Sequence, residues 1–285
     1  VPSPYNEHQE IGLIDLEWVG RPSRIGTWRV DDVLIDCGPA TTVQTLYERL
    51  GARAPRALLL THIHLDHAGA AGDLVKRWPD LPVFVHRKGA RHLVDPERLI
   101  ASARRVFGAD FDLFGDMIPI PPENVRALDG GESVDGFRVA ATPGHASHHV
   151  SYLHEASGRA FVGDVAAVRL GDRLPVLPPT PPPDIDIARW LESIEIVRSW
   201  RPVDLGLTHF DAVSAVDQHL DAVADALGRH ADLARRLDEP TYVEAIVSEL
   251  SAALTSTAWV DDYRRVVPLE SNYAGLRRAL ESPRP

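Results

Sequence analysis

The stretch Leu58-Leu59-Leu60-Thr61-His62-Ile63-His64-Leu65-Asp66-His67 constrains this chain more than any other. Its apolar start reads as a buried strand, and three imidazoles and a carboxylate follow between positions 62 and 67, on what has to be a tight loop. A lone histidine is commonly a surface residue or a satisfied core group, but this density is that of a metal site. His62 and His64, two apart on extended backbone, can point the same way, whereas Asp66 and His67 lie beyond the bend and can face a second ion. Imidazole nitrogen and carboxylate oxygen suit zinc first, with iron or manganese as the other choices, and so many donors in one loop favour two divalent ions over one.

His62-Ile63-His64-Leu65-Asp66-His67 resembles the HxHxDH signature of the metallo-β-lactamase fold superfamily, hydrolases that usually carry two metals. Three later segments fit the same pattern in order. Thr142-Pro143-Gly144-His145 resembles the next histidine ligand, Phe161-Val162-Gly163-Asp164 the bridging aspartate, and Leu207-Thr208-His209-Phe210 the last histidine. The resemblance implies an α/β fold, a four-layer αββα sandwich, over residues 1–211, with a helical C-terminal extension over 212–285. It implies His62, His64 and His145 on one metal, Asp66, His67 and His209 on the other, and Asp164 between them. His149 matches a histidine that glyoxalase-like members place outside the metal shell, and His148 stands where glycine is more usual. Both are expected beside the ligands or in the substrate pocket.

The chain has 285 residues, enough for one large domain or a domain with an appendage, and 44% hydrophobic with 25% charged residues is ordinary for a folded protein. No apolar run approaches the roughly 20 residues that cross a bilayer, and Val1 to Glu7 shows neither the basic nor the apolar part of a secretory signal. The single cysteine, Cys37, rules out an internal disulfide and is compatible with the cytoplasm, the expected location. A net charge of -11 argues against nucleic acid as a partner and leaves a small-molecule substrate; association into a homo-oligomer stays open.

Along the chain, Ile11 to Trp18, Ser23 to Val30 and Val33 to Asp36 predict an antiparallel meander, and Thr41 to Leu50 a helix closed by Gly51. Ala70 to Trp78 predicts a helix behind the metal loop, and Val83 to His86 a buried strand with Arg87 and Lys88 at its end. Residues 91–117 are harder to assign: Leu99 to Phe107 has a helical pattern, and the aromatic and glycine residues after it suit a lid, a dimer contact or core packing equally. A hairpin is expected across Glu155 to Gly158. The proline-rich stretch Leu174 to Pro183 has to be a stiff extended loop, expected over the mouth of the site. Asp186 to Trp200 predicts a helix and Leu205 to Leu207 a strand. From Ala212 the pattern is helical through Leu237, then again over Tyr242 to Leu254 and Asn272 to Leu280.

Two adjacent dications bring the pKa of a shared water toward neutrality, so a bridging hydroxide is the expected nucleophile, with Asp66 placed to orient it or take its proton. The expected reaction is hydrolysis of a small ester-like bond in a lactone, thioester or related carboxyl derivative. One alternative is a phosphodiesterase or nuclease, for which Arg87, Lys88, Arg169 and Arg173 would supply a phosphate pocket. Another is a single-iron oxidoreductase resembling the persulfide dioxygenases. A non-catalytic metal scaffold fits less well, because the donor set exceeds what a structural zinc needs.

Overall fold

A computed structural model describes residues 10–170, 175–254 and 256–281. The first sheet has the order β1 (Ile11–Asp15), β2 (Gly26–Val30), β3 (Val33–Ile35), β4 (Ala57–Leu59), β5 (Val83–His86) and β6 (Val125–Leu128). β1 to β3 form the expected antiparallel meander, and β3 to β6 run parallel. Between these strands come α1 (Val43–Leu50), α2 (Leu65–Ala68), α3 (Ala71–Arg77), α4 (Arg87–Val94) and α5 (Glu97–Phe107). The second sheet holds β7 (Ser133–Val134), β8 (Phe137–Ala141), β9 (Val150–His154), β10 (Arg159–Phe161), β11 (Asp204–Leu207) and β12 (Asp211–Val213), in sequential order. α6 (Ile187–Ser199) joins β10 to β11, and α7 (Val216–Arg236), α8 (Glu239–Ala253), α9 (Thr257–Val266) and α10 (Leu269–Glu281) follow β12.

Side-chain alternation builds the layers. On β3, Val33 and Ile35 enter the cluster between the sheets while Leu34 faces outward, and on β4 Ala57 and Leu59 face inward while Leu58 faces outward. Across the inter-sheet core they meet Phe137, Val139, Tyr152 and Phe161 of the second sheet. The outward residues pack on Leu46 of α1, Leu74 of α3 and Leu93 of α4. On the far side, Ala160, Leu205 and Leu207 pack on Trp190 and Ile194 of α6 and Leu220 and Val223 of α7. The layers are therefore helix, sheet, sheet, helix. A further core, centred on Tyr242, Ile246, Tyr263 and Leu276, ties α8, α9 and α10 to Val168, Leu170 and Leu177.

Three local features differ from the sequence pattern. Arg87 and Lys88 open helix α4, because the His86 side chain accepts from the Lys88 N–H and turns the end of β5 directly into a helix. Ala212 belongs to the short strand β12, paired with β11, so α7 starts only at Val216. Between α8 and α10 lies α9, whose N-terminus is capped by Ser256. Arg173 and Leu174 lie outside the described residues.

α7 reaches the second sheet through a polar contact. The buried His219 Nε2–H donates to the Ala166 carbonyl at 2.8 Å, two residues beyond Asp164. Burial pushes its pKa down to about 4. An unfolded histidine, near 6.5, takes up a proton in the window where the folded one does not, so stability rises with pH between about 4 and 6.5. The expected outcome is that acidification from pH 7 to pH 4.5 costs the wild type more than His219→Gln, which keeps an N–H donor without the titration. The difference should be about 2–3 kcal/mol, read from urea unfolding at the two pH values. Equal losses would remove His219 from the pH dependence.

Candidate metal centre

Every residue predicted to be a ligand reaches one place at the C-terminal edges of the two sheets. His62 and His64 leave the end of β4, Asp66 and His67 sit on the short α2, His145 follows β8, Asp164 follows β10, and His209 follows β11. The potential donor atoms fall into two groups, His62, His64, His145 and Asp164 in one, Asp66, His67 and His209 in the other. Within the first, His64 Nδ1 lies 3.0 Å from His62 Nε2 and 2.9 Å from His145 Nε2. Within the second, His209 Nε2 lies 3.3 Å from His67 Nε2 and 3.3 Å from Asp66 Oδ2. Asp164 gives one oxygen to each group, Oδ2 at 3.3 Å from His145 Nε2 and Oδ1 at 3.1 Å from His67 Nε2.

The tautomers follow from the groups behind the rings. His145 Nδ1–H donates to the Pro179 carbonyl at 2.8 Å, His209 Nδ1–H to the Arg24 carbonyl at 2.9 Å, and His67 Nδ1–H to Asp36 Oδ2 at 2.7 Å. The Thr61 hydroxyl donates to Asp36, so it accepts from His62 Nδ1–H at 3.1 Å. Four Nε2 lone pairs therefore converge with the carboxylates of Asp66 and Asp164, and Asp164 Oδ1 is buried without a hydrogen-bond donor. Lone pairs and carboxylates crowded this closely repel unless a cation lies among them, so the donor set fits two divalent metal ions. The charges agree. Burial alone disfavours positive charge at His67, but Asp164, Asp36 and Asp66 outweigh it and raise its pKa well above the ordinary value, so a cation, either a proton on Nε2 or a metal ion in its place, belongs between His67 and Asp164. Burial and the neighbouring His145 push His64 down to about 4.

His149 and His148 occupy different environments. His149 is fully buried; its Nε2 accepts from the Asp164 backbone N–H at 3.2 Å and its Nδ1–H donates to Thr142 Oγ1 at 2.9 Å, so it holds the Asp164 loop. Gly163 has to be glycine here, since with φ 45° a Cβ would lie 2.7 Å from both His149 Nε2 and Thr61 Oγ1. His148 instead lines a cavity of about 570 Å³ that also exposes His64, Asp66, His145 and Asp164. Pro179 and Pro181 to Pro183 form part of its wall, as expected for the stiff loop, and Leu99 and Phe107 form another. Arg87 and Lys88 reach the rim, whereas Arg169 uses its backbone to bracket His209 and Phe210.

Sequence reasoning missed the groups that hold the rings. Asp36 is one: its carboxylate accepts from the Thr61 N–H and hydroxyl, from Thr208 Oγ1 at 3.0 Å and from His67. The C-terminal helices supply others. Asn272 on α10 accepts from the Thr180 N–H at 2.8 Å and donates to the Pro178 carbonyl at 2.9 Å, fixing the loop that presents Pro179 to His145. Gly275 packs so close that a Cβ would sit 1.9 Å from the Thr180 carbonyl. Asp262 on α9 pairs with the buried Arg24 side chain, whose own carbonyl holds His209. Cys37 is fully buried, and burial together with Asp36 pushes its thiol well above the ordinary pKa, which makes it a poor nucleophile.

Replacing a group that orients metal-binding rings typically costs about 10–100-fold in metal affinity. Asp36→Asn, nearly isosteric but uncharged, is expected to weaken zinc binding in that range in competition with a chromogenic chelator, with little change in far-UV circular dichroism. Unchanged affinity would show that Asp36 only braces the sheets.

Comparison with known proteins agrees with this geometry. The chain is 30% identical over 173 residues, 57% of its length, to the metallo-beta-lactamase fold-containing protein ST1585 of Sulfurisphaera tokodaii. It is 33% identical over 132 residues, 46% of its length, to a hydroxyacylglutathione hydrolase of Xanthomonas axonopodis pv. citri. These matches span 64% and 40% of the two relatives, less than two thirds of either. The solved structure of ST1585 superposes with a TM-score of 0.72 at 23% identity, covering 97% of this chain and 100% of that one. That of TTHA1623 in a di-iron-bound form superposes with a TM-score of 0.50 at 27% identity, covering 74% and 92%. The profile of the metallo-beta-lactamase superfamily matches residues 31–209, more than half the chain and all of the clustered histidines and aspartates: the chain belongs to the metallo-β-lactamase superfamily.

Proposed function

We propose that this protein is a dinuclear metallohydrolase that cleaves a small ester-like bond in a lactone, thioester or related carboxyl derivative. The observation that carries the reading is the two groups of donor atoms joined by Asp164, which gives one oxygen to each. His62, His64 and His145 would hold one ion and Asp66, His67 and His209 the other, with zinc the first choice and iron or manganese the others. When bound, such ions supply a water acidified toward neutral pH and a Lewis acid for the carbonyl.

The chain's own residues supply the rest. Asp66, with its carboxylate both in the second group and on the cavity wall, orients the attacking water and accepts its proton. The Pro179, Arg24, Asp36 and Thr61 oxygens keep four imidazoles in one tautomer and one orientation, so little reorganisation accompanies the reaction. The proline loop and α5 wall the cavity and limit bulk water. The hydroxyacylglutathione hydrolase relative acts, by its name, on a thioester-type substrate, and the di-iron form of TTHA1623 holds two metals; both support this reading. Phosphodiester hydrolysis has less behind it in a chain of net charge -11, and a single-iron oxidoreductase would use only part of the donor set.

The test is a panel of lactones, thioesters and aryl esters, beside bis(4-nitrophenyl) phosphate and a persulfide with oxygen uptake recorded, given to metal-reconstituted protein. Turnover confined to carboxyl derivatives is expected; turnover confined to the phosphodiester, or oxygen uptake with the persulfide, would replace the reading. Asp66→Asn should lower kcat by at least about 10²-fold, while circular dichroism stays that of the wild type; retention of full turnover would remove Asp66 from proton transfer.

A further inference from the structure

The cavity over the clustered donors has two chemically different ends. At one, α4 and the start of α5 present Lys88, Arg91 and Arg98. Lys88 and Arg91 are three apart on one face of α4, and Gly89 of the same helix packs on Ile63 and His148 of the histidine loops. Their neighbour Arg87 is neutralised by a two-pronged pair with Asp129, at 2.7 and 2.6 Å, but among the described residues Lys88, Arg91 and Arg98 form no ion pair. The guanidinium of Arg91 is turned instead toward the neutral ring of His92, at 3.1 Å. Asp66, Asp164 and Asp184 line the same cavity, so the positive charge is confined to the α4–α5 wall, where three cations outside any ion pair among the described residues stand together on a chain of net charge -11.

The other end is apolar. The α5 stripe that faces the cavity runs Arg98, Leu99, Ser102, Ala103, Val106, so it changes from cation to hydrocarbon along its length. Eight residues at 1.5 Å rise separate Arg98 from Val106 by about 12 Å. Val106 continues into Phe107, which joins the same apolar cluster as Val266 at the α9–α10 junction. Pro181 and Pro183 close that wall with rigid rings rather than mobile chains.

We propose that the cavity selects amphipathic anions: carboxyl derivatives that carry an acidic group, held by Lys88, Arg91 and Arg98, and a hydrocarbon segment of about 12 Å reach, held along Val106, Phe107 and Val266. This deepens the hydrolase reading and rests on it for the reaction, but the binding preference does not depend on turnover. Charge-assisted bonds from guanidinium and ammonium groups supply the anion preference, and the chain adds area buried against α5.

Calorimetric titration of the metal-loaded protein with three probes separates the parts. Octanesulfonate has charge and chain, methanesulfonate the charge alone, and octyltrimethylammonium the chain with opposite charge. Octanesulfonate is expected to bind at least about tenfold more tightly than either partner probe, with Kd rising as sodium chloride is added. The variant Lys88→Gln/Arg91→Gln/Arg98→Gln should erase that preference, and Arg98→Glu alone should reduce it, a check in case the triple variant folds poorly. Equal binding of the three probes, or a preference insensitive to both salt and Arg98→Glu, would overturn the proposal. Matched esters then report on the reaction. Mono-4-nitrophenyl adipate should exceed 4-nitrophenyl hexanoate in kcat/KM by about tenfold or more in the wild type. Equal cleavage of the two would refute the selectivity and leave the hydrolase reading standing; cleavage of neither, with octanesulfonate still preferred, would refute the hydrolase reading and leave the anion site standing.

Discussion

A single buried carboxylate joins the two halves of this molecule beneath its histidines. Asp36, at the end of β3, accepts from Thr61 at the end of β4, from Thr208 at the end of β11 and from His67 on α2. One anion thus fixes three strand ends from two sheets and one of the inward-facing rings. A charge buried this completely is tolerable only with several donors around it, and the same donors are those that aim the histidine loops. The packing of the sheets and the orientation of the cluster are therefore one problem with one solution.

The helices after β12 extend that logic outward. His219 of α7 holds the turn that follows Asp164, Asp262 of α9 holds Arg24 behind His209, and Asn272 of α10 holds the loop behind His145. Each contact is buried; those of His219 and Asn272 reach backbone groups and that of Asp262 the Arg24 side chain, so each steadies a neighbour of a cluster residue rather than the residue itself. A histidine loop exposed to solvent on one side would sample many ring orientations; a carbonyl pinned from behind leaves one. Val266 and Asn272 also line the cavity, so the same helices shape what can reach the cluster.

How much of this was visible in the chain follows from how local each signal is. The His62 to His67 spacing lies within one loop, and β1 to β5 of the first sheet announce themselves by apolar runs and alternation, so both were legible, whereas β6 went unread. The grouping of His145, Asp164 and His209 with that loop came through resemblance, because residues so far apart carry no spacing of their own. Asp36 ends a predicted strand, but its donors Thr61, His67 and Thr208 are distant in sequence and leave no local sign of its role, and the Pro179 and Arg24 acceptors are backbone carbonyls, which have no residue signature at all. α4 was hidden because it starts directly after the last residue of β5 without a loop, and β12 because three residues in an alanine-rich context give no period to read. The change from cation to hydrocarbon along α5 was present in the sequence, but only the fold turns that stripe toward the cavity.

The central claim is that the converged nitrogens and oxygens hold a pair of ions. Anomalous diffraction from crystals of the zinc-loaded protein, collected on both sides of the zinc absorption edge, addresses it directly. The account requires two peaks about 3.5–4 Å apart, one among His62, His64 and His145, the other among Asp66, His67 and His209, with Asp164 between. A single peak, or zinc bound only elsewhere on the surface, would contradict it.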